Sequence, residues 1–150
     1  MKDILLVEDS TSDAELITKA LRAAGVDNPI RFLSDGANAM AHLESAEHNA
    51  AIAGVPSVLL LDLKLPGFSG FEILERLQGR KPFEQTLRIV LSHLDNIKNI
   101  SRAYRLGAHS FLTKPLHPQD VNDLIAMFPG YWLLRGDAQK NSAGTAVLSP

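Results

Sequence analysis

Hydrophobic positions along this chain come in two alternating kinds. Ile4-Leu5-Leu6-Val7, Val58-Leu59-Leu60-Leu61, Leu87-Arg88-Ile89-Val90-Leu91 and Ser110-Phe111-Leu112-Thr113 are short, β-prone runs bounded by turn residues. Such runs read as strands buried in a parallel sheet, and Pro29-Ile30-Arg31-Phe32-Leu33 reads as a fifth short strand. Between them, apolar residues recur three or four apart, the spacing of one helix face. Ser10 or Thr11 can cap a first helix whose apolar face is Ile17, Ala20, Leu21 and Ala24, with Gly25 stopping it. The turn Asp35-Gly36 leads into a second helix carrying Ala37, Met40, Ala41 and Leu43, and a small-residue connection without clear period runs from about Glu47 to Pro56. A turn over Leu65-Pro66-Gly67-Phe68-Ser69-Gly70 precedes a third helix with Phe71, Leu74 and Leu77, and Pro82 breaks the chain before the fourth strand. Ile97, Ile100 and Tyr104 mark a fourth helix ending at Gly107; Val121, Leu124, Ile125 and Phe128 mark a fifth. Five strand–helix repeats predict one α/β domain with a parallel sheet covered on both faces.

The domain is expected to occupy residues 1–135. The polar stretch 136–150 lacks a hydrophobic period and is expected to be disordered. Pro129-Gly130 should end the fifth helix, yet the apolar cluster Tyr131-Trp132-Leu133-Leu134 follows. It either caps the domain's own core or forms a partner surface; because Trp and Tyr favour interfaces, the reading leans to contact.

Composition narrows the function classes. Of 150 residues 45% are hydrophobic and 21% charged, an ordinary globular balance, and the formal net charge of −2 gives no case for nucleic acid or an acidic membrane surface. With no cysteine, disulfides, thiolate zinc sites and catalytic thiols are excluded. The first apolar run is too short for a signal core or membrane span, so a cytoplasmic location is expected. His42, His48, His109 and His117 show no metal spacing, and no glycine-rich phosphate loop is present, which argues against nucleotide binding.

The chemistry lies at the strand ends. The first run enters Glu8-Asp9, the third strand ends at Asp62, the fourth at Ser92 and the fifth at Lys114-Pro115. In parallel sheets the carboxyl ends of the strands form the functional edge. Three carboxylates and one ammonium meeting there suit a divalent cation and a phosphoryl group. Oxygen-only ligands favour Mg²⁺, with Asp9 and Asp62 as direct ligands, Glu8 acting through water and the Lys64 carbonyl as a backbone ligand. Asp62 can then serve as a nucleophile, because aspartyl phosphates are a recognised covalent intermediate. Mg²⁺, Lys114 and the Ser92 hydroxyl would each cover one phosphoryl oxygen. A cis bond before Pro115 would aim Lys114 inward.

Taken singly these residues have plainer readings. Asp9 alone is a helix cap, Ser92 a strand end and Phe111 a core aromatic. Their joint occurrence in sequence order is what points to a site.

Ile-Leu-Leu-Val-Glu8-Asp9, Leu-Leu-Asp62-Leu-Lys-Leu-Pro66-Gly67 with Gly70, Leu-Ser92, and Gly107-Ala108 with Phe111-Leu-Thr-Lys114-Pro115 resemble a response-regulator receiver domain of the CheY-like superfamily. The resemblance covers about residues 3 to 130. It implies a flavodoxin-like (βα)5 fold of strand order 2-1-3-4-5, a stand-alone switch in a two-component phosphorelay, and Mg²⁺ dependence. It also implies no enzyme activity beyond the chain's own phosphorylation and dephosphorylation. Carried over by position, Asp62 is the phosphoacceptor, Glu8 and Asp9 the acidic pair, Ser92 the switch hydroxyl, Phe111 the switch aromatic and Lys114 the site lysine. Implied partners are a sensor histidine kinase, a histidine phosphotransfer protein, and a second copy through the face of the fourth helix, fifth strand and fifth helix. The Asp-Leu-Lys-Leu-Pro turn, the stretch from Tyr104 to Pro115 and the late Tyr131-Trp132 resemble small regulators paired with phytochrome-type kinases. One departure stands out: the position after the switch hydroxyl, usually small, is His93. His93, Lys64 and Leu94 lie where they can tune access or phosphoryl lifetime. A phosphatase-like enzyme would need a second catalytic aspartate at position 64, which is lysine; a phosphorylation-independent module would be expected to lack Asp62, the acidic pair or Lys114, and all are present.

Overall fold

A computed structural model describes residues 2–48, 54–93 and 96–136. Strands β1 (Ile4–Val7), β2 (Ile30–Leu33), β3 (Val58–Asp62), β4 (Leu87–Ser92) and β5 (Ser110–Thr113) alternate with helices α1 (Thr11–Ala23), α2 (Gly36–His48), α3 (Gly70–Leu77), α4 (Ile97–Arg105) and α5 (Pro118–Met127). All strand pairs are parallel, in the order β2-β1-β3-β4-β5. The three central strands are buried throughout and the edge strands only in part, which is why the central ones read as apolar runs, interrupted only by Arg88 in β4 before their polar ends.

The two-residue period of a strand divides these runs between two cores. Ile4, Leu6, Val58, Leu60, Ile89 and Leu91 face α1 and α5 with Ile17, Leu21, Val121 and Leu124. Leu5, Val7, Leu59, Leu61 and Val90 face α2, α3 and α4 with Met40, Leu43, Ile73, Leu74 and Ala103. Each fully buried aliphatic side chain contributes roughly 1.5–3 kcal/mol.

Several helix faces differ from those expected. In α2 the buried set is Gly36, Ala39, Met40, Leu43 and Ala46, while Ala37 and Ala41 are exposed. Helix α2 starts one residue earlier than expected, where the Asp35 carboxylate accepts from the Asn38 N–H at 2.7 Å. In α3, Ile73 is buried, whereas Phe71 is half-buried with the Arg102 guanidinium 4.1 Å above its ring. Helix α4 buries only Ala103; Ile97 is 77% and Tyr104 46% exposed.

The apolar cluster after α5 is a correction to the contact reading. Trp132 is buried in the α1/α5 core, its indole N–H donating to the Phe128 carbonyl at 2.9 Å. The segment pairs with the end of α1: Asp27 N–H donates to the Leu133 carbonyl and Arg135 N–H to the Gly25 carbonyl. Asn28, fully buried, holds the joint by donating to the Lys2 and Tyr131 carbonyls and accepting from the Leu133 N–H. Leu94 and residues 137–150, the bulk of the expected tail, lie outside the described residues.

Candidate functional site

β1 is flanked by β2 on one side and β3 on the other, so the strand order reverses there. A crevice opens at such a switch point outside the carboxyl ends of the strands. Register brings the polar ends together: Val7 pairs with Leu61, Asp62 with Leu91 and Ser92 with Thr113. Glu8, Asp62, Ser92 and Lys114 therefore sit side by side along one edge. All four are buried, at 1%, 8%, 1% and 7% exposure, while Asp9 is exposed.

The loop after Asp62 is fixed by close backbone approach. A Cβ on Gly70 would lie 2.3 Å from the Asp62 carbonyl oxygen, and one on Gly36 would lie 1.9 Å from that of Phe68, so only glycine fits either position. The Ser69–Glu72 capping box then starts α3. The backbone N–H groups of Lys64 and Leu63 favour the ionised Asp62 carboxylate, against its burial.

Lys114, preceding a cis peptide bond to Pro115, is the hub. Its ammonium donates to the Glu8 carboxylate, lies 3.1 Å from Asp13 Oδ2 and 3.5 Å from Asp62 Oδ2. Carboxylate oxygens of Glu8, Asp9 and Asp62 lie within 4.8 Å of one another. Lys64 and Asp9 border one groove next to this cluster, together with Phe71 and Arg102. Phe111 is partly buried against the α2–α4 core, and its N–H donates to the Tyr104 hydroxyl at 3.2 Å.

Asp13 was missed from sequence, where it reads as a favourable acid in the first turn of a helix. As the third helical residue after the Ser10 cap, it would ordinarily reach back to the Ser10 N–H to complete a capping box. Glu8 Oε2 takes that N–H instead, at 3.0 Å, and leaves the Asp13 carboxylate for Lys114 and for His93, whose Nε2 is 3.3 Å away.

Burial raises the Glu8 carboxyl above its ordinary range, and Asp62 adds to this, against the Lys114 and Ser10 hydrogen bonds. Asp62 is also raised, first by burial and then by Asp9, against the charge of Lys114. Burial works against the Lys114 ammonium, yet Glu8, Asp62 and Asp13 together hold its pKa up. Burial likewise opposes ionisation of Asp13, but Lys114 and His93 hold it low. The group thus carries more negative than positive charge, on oxygen donors alone, and suits a hard divalent cation.

A pH dependence follows for the metal-free protein. Glu8 and Asp62 have folded pKa values above their unfolded ones, so the folded state binds more protons just above the ordinary carboxylate range. Stability therefore falls as pH rises through that window, while Asp13, with the opposite shift, loses its contribution only at lower pH. Urea midpoints measured in chelator should decline with rising pH there, and Glu8→Gln should flatten the decline. A midpoint that rises across the window in the native chain would contradict the assignment.

The response regulator receiver domain family matches residues 4–126. The chain belongs to this family. Among relatives of this receiver, response regulator Rcp1 of Synechocystis sp. (strain ATCC 27184 / PCC 6803 / Kazusa) is 30% identical over 132 residues, covering 88% of this chain and 89% of its own. Bacteriophytochrome response regulator RtBRR superposes with a TM-score of 0.77 at 30% identity, covering 91% of this chain and 83% of that one. The Mn²⁺-bound form of Rcp1 superposes with a TM-score of 0.68 at 31% identity, covering 85% and 94%. The receiver is thus a signalling protein of the two-component class, similar to small regulators named for bacteriophytochromes. No described helix is long and apolar enough to cross a membrane.

Proposed function

We propose that this receiver is a stand-alone cytoplasmic switch that takes a phosphoryl group from a histidine kinase onto Asp62. The observation that carries the reading is the convergence on Lys114: one buried ammonium contacts Glu8 and lies 3.5 Å from Asp62, beside exposed Asp9. An Asp62 oxygen attacks phosphorus in line, the bond from phosphorus to the donor imidazole breaks, and the freed imidazole keeps the electron pair. Lys114 is close enough to Asp62 to neutralise an equatorial phosphoryl oxygen, and Ser92 ends the neighbouring strand, where its hydroxyl can take another.

Asp9, Asp62 and the Lys64 carbonyl would hold Mg²⁺, which supplies charge neutralisation between nucleophile and phosphoryl group. Glu8, engaged by Lys114 and the Ser10 N–H, suits an indirect role through water. The Mn²⁺-bound relative supports a divalent cation in the family.

In the switch, Ser92 moves toward the phosphoryl oxygens and Phe111 turns into the space released, altering the α4–β5–α5 face. That face exposes Ile97, Tyr104 and Met127, apolar groups suited to a second copy or a target. Names of the relatives favour a bacteriophytochrome kinase as donor; a histidine phosphotransfer protein is a further partner implied by the family resemblance alone. His93 and Lys64 tune access and lifetime; Leu94, beyond the described residues, is assigned the same role by position.

Intact-protein mass after incubation with acetyl phosphate tests the reading. One phosphate adduct in Mg²⁺ and none in chelator is expected. No adduct from acetyl phosphate or from any histidine kinase would overturn it.

A further inference from the structure

His93, directly after Ser92 at the end of β4, is tied across the sheet edge to the opposite helical layer. His93 follows β4, whose neighbouring helix α4 packs on the α2–α3 side, whereas Asp13 lies on α1 in the other core. Their contact at 3.3 Å spans the carboxyl edge of the sheet. The same oxygen, Asp13 Oδ2, also meets Lys114 at 3.1 Å. A continuous series therefore runs from Asp62 through Lys114 and Asp13 to His93, linking nucleophile, site ammonium, α1 and the residue beside the switch hydroxyl.

Two consequences follow from this geometry. Lys114 is shared: Asp13 holds it at a shorter distance than Asp62 does, so an arriving phosphoryl group competes with Asp13 for it. His93 is also held in place. Its side chain is 63% exposed, and a free exposed side chain would sample several rotamers, whereas this one is held toward α1 at the carboxyl edge of the sheet.

Given Asp62 as phosphoacceptor, we propose that Asp13 is a positioning residue that restrains Lys114 and straps His93 across the donor's approach, slowing phosphorylation by small donors.

The rate of adduct formation from acetyl phosphate in Mg²⁺ is measured by intact mass for the native chain, Asp13→Asn, His93→Ala, the double variant and His93→Gln. Asp13→Asn and His93→Ala should each raise the rate about fivefold, the rate equivalent of one modest hydrogen bond. The double variant should be no faster than the faster single one, because both remove the same strap. His93→Gln, whose amide can donate to Asp13, should retain the native rate, which a loss of bulk or fold integrity would not reproduce. Unchanged or slower single variants, or additive effects in the double variant, overturn the strap while the adduct on the native chain still upholds the receiver reading. Absence of an adduct on the native chain from any donor overturns both.

Discussion

Asp62→Asn is expected to abolish the proposed Mg²⁺-dependent phosphate adduct without unfolding the protein. Asn offers an amide in place of an anionic oxygen nucleophile, so the covalent step has no attacking group. Neighbouring carboxylates do not substitute. Glu8 is buried at 1% exposure and bound to Lys114, and Asp13 is shared between Lys114 and His93. Asp9 is exposed but lacks the Lys114 contact that Asp62 has. The fold should tolerate the change well. Ionised Asp62 is held in a buried site beside Asp9, which raises its pKa, so neutralising it relieves repulsion. The urea midpoint of Asp62→Asn in chelator should equal or exceed that of the native chain at neutral pH. An adduct of native yield on Asp62→Asn would place the phosphoacceptor elsewhere.

Trp132→Ala is expected to cost about 3–5 kcal/mol, the usual range for truncating a buried large aromatic. Trp132 is 6% exposed, packs in the core with α1 and α5, and uses its indole N–H on the Phe128 carbonyl. Its loss also loosens the segment that Asn28 ties to the Lys2 and Tyr131 carbonyls. Urea unfolding of the native and variant chains measures the cost. A variant with native stability but weakened binding to a kinase or second copy would restore Trp132 to a contact role.

These two residues mark the range of what sequence reading reaches. Asp62 was legible because it ends a run of four apolar residues, and a parallel sheet sends all such ends to one edge. Glu8, Asp9, Ser92 and Lys114 were legible for the same reason: each ends a strand or lies within two residues of its end, and register does the assembly. Trp132 follows a Pro-Gly break, outside any period, and a lone aromatic carries no mark of whether it packs inward or outward. Helix α4 failed in the other direction. Ile97 and Tyr104 fit an apolar face, yet Ala103 is the buried residue, because spacing gives a stripe and only the docking rotation says which stripe meets the sheet.

Asp13 shows the remaining gap. Its local sequence, third in a helix after a serine cap, satisfies a capping pattern that needs no other partner. What redirected it was Glu8, reaching the Ser10 N–H first, and Lys114 arriving from 101 residues away.

The sequence by itself determined the alternation of strands and helices, the parallel α/β class and the set of polar residues at strand ends, because each is written in local periodicity and punctuation. Tertiary structure alone decided which carboxylate holds Lys114, that His93 is tethered to α1, and that the last aromatic cluster closes the core. Those outcomes depend on competition among groups distant in sequence for one ammonium or one cavity, and local pattern holds no information about who is nearest.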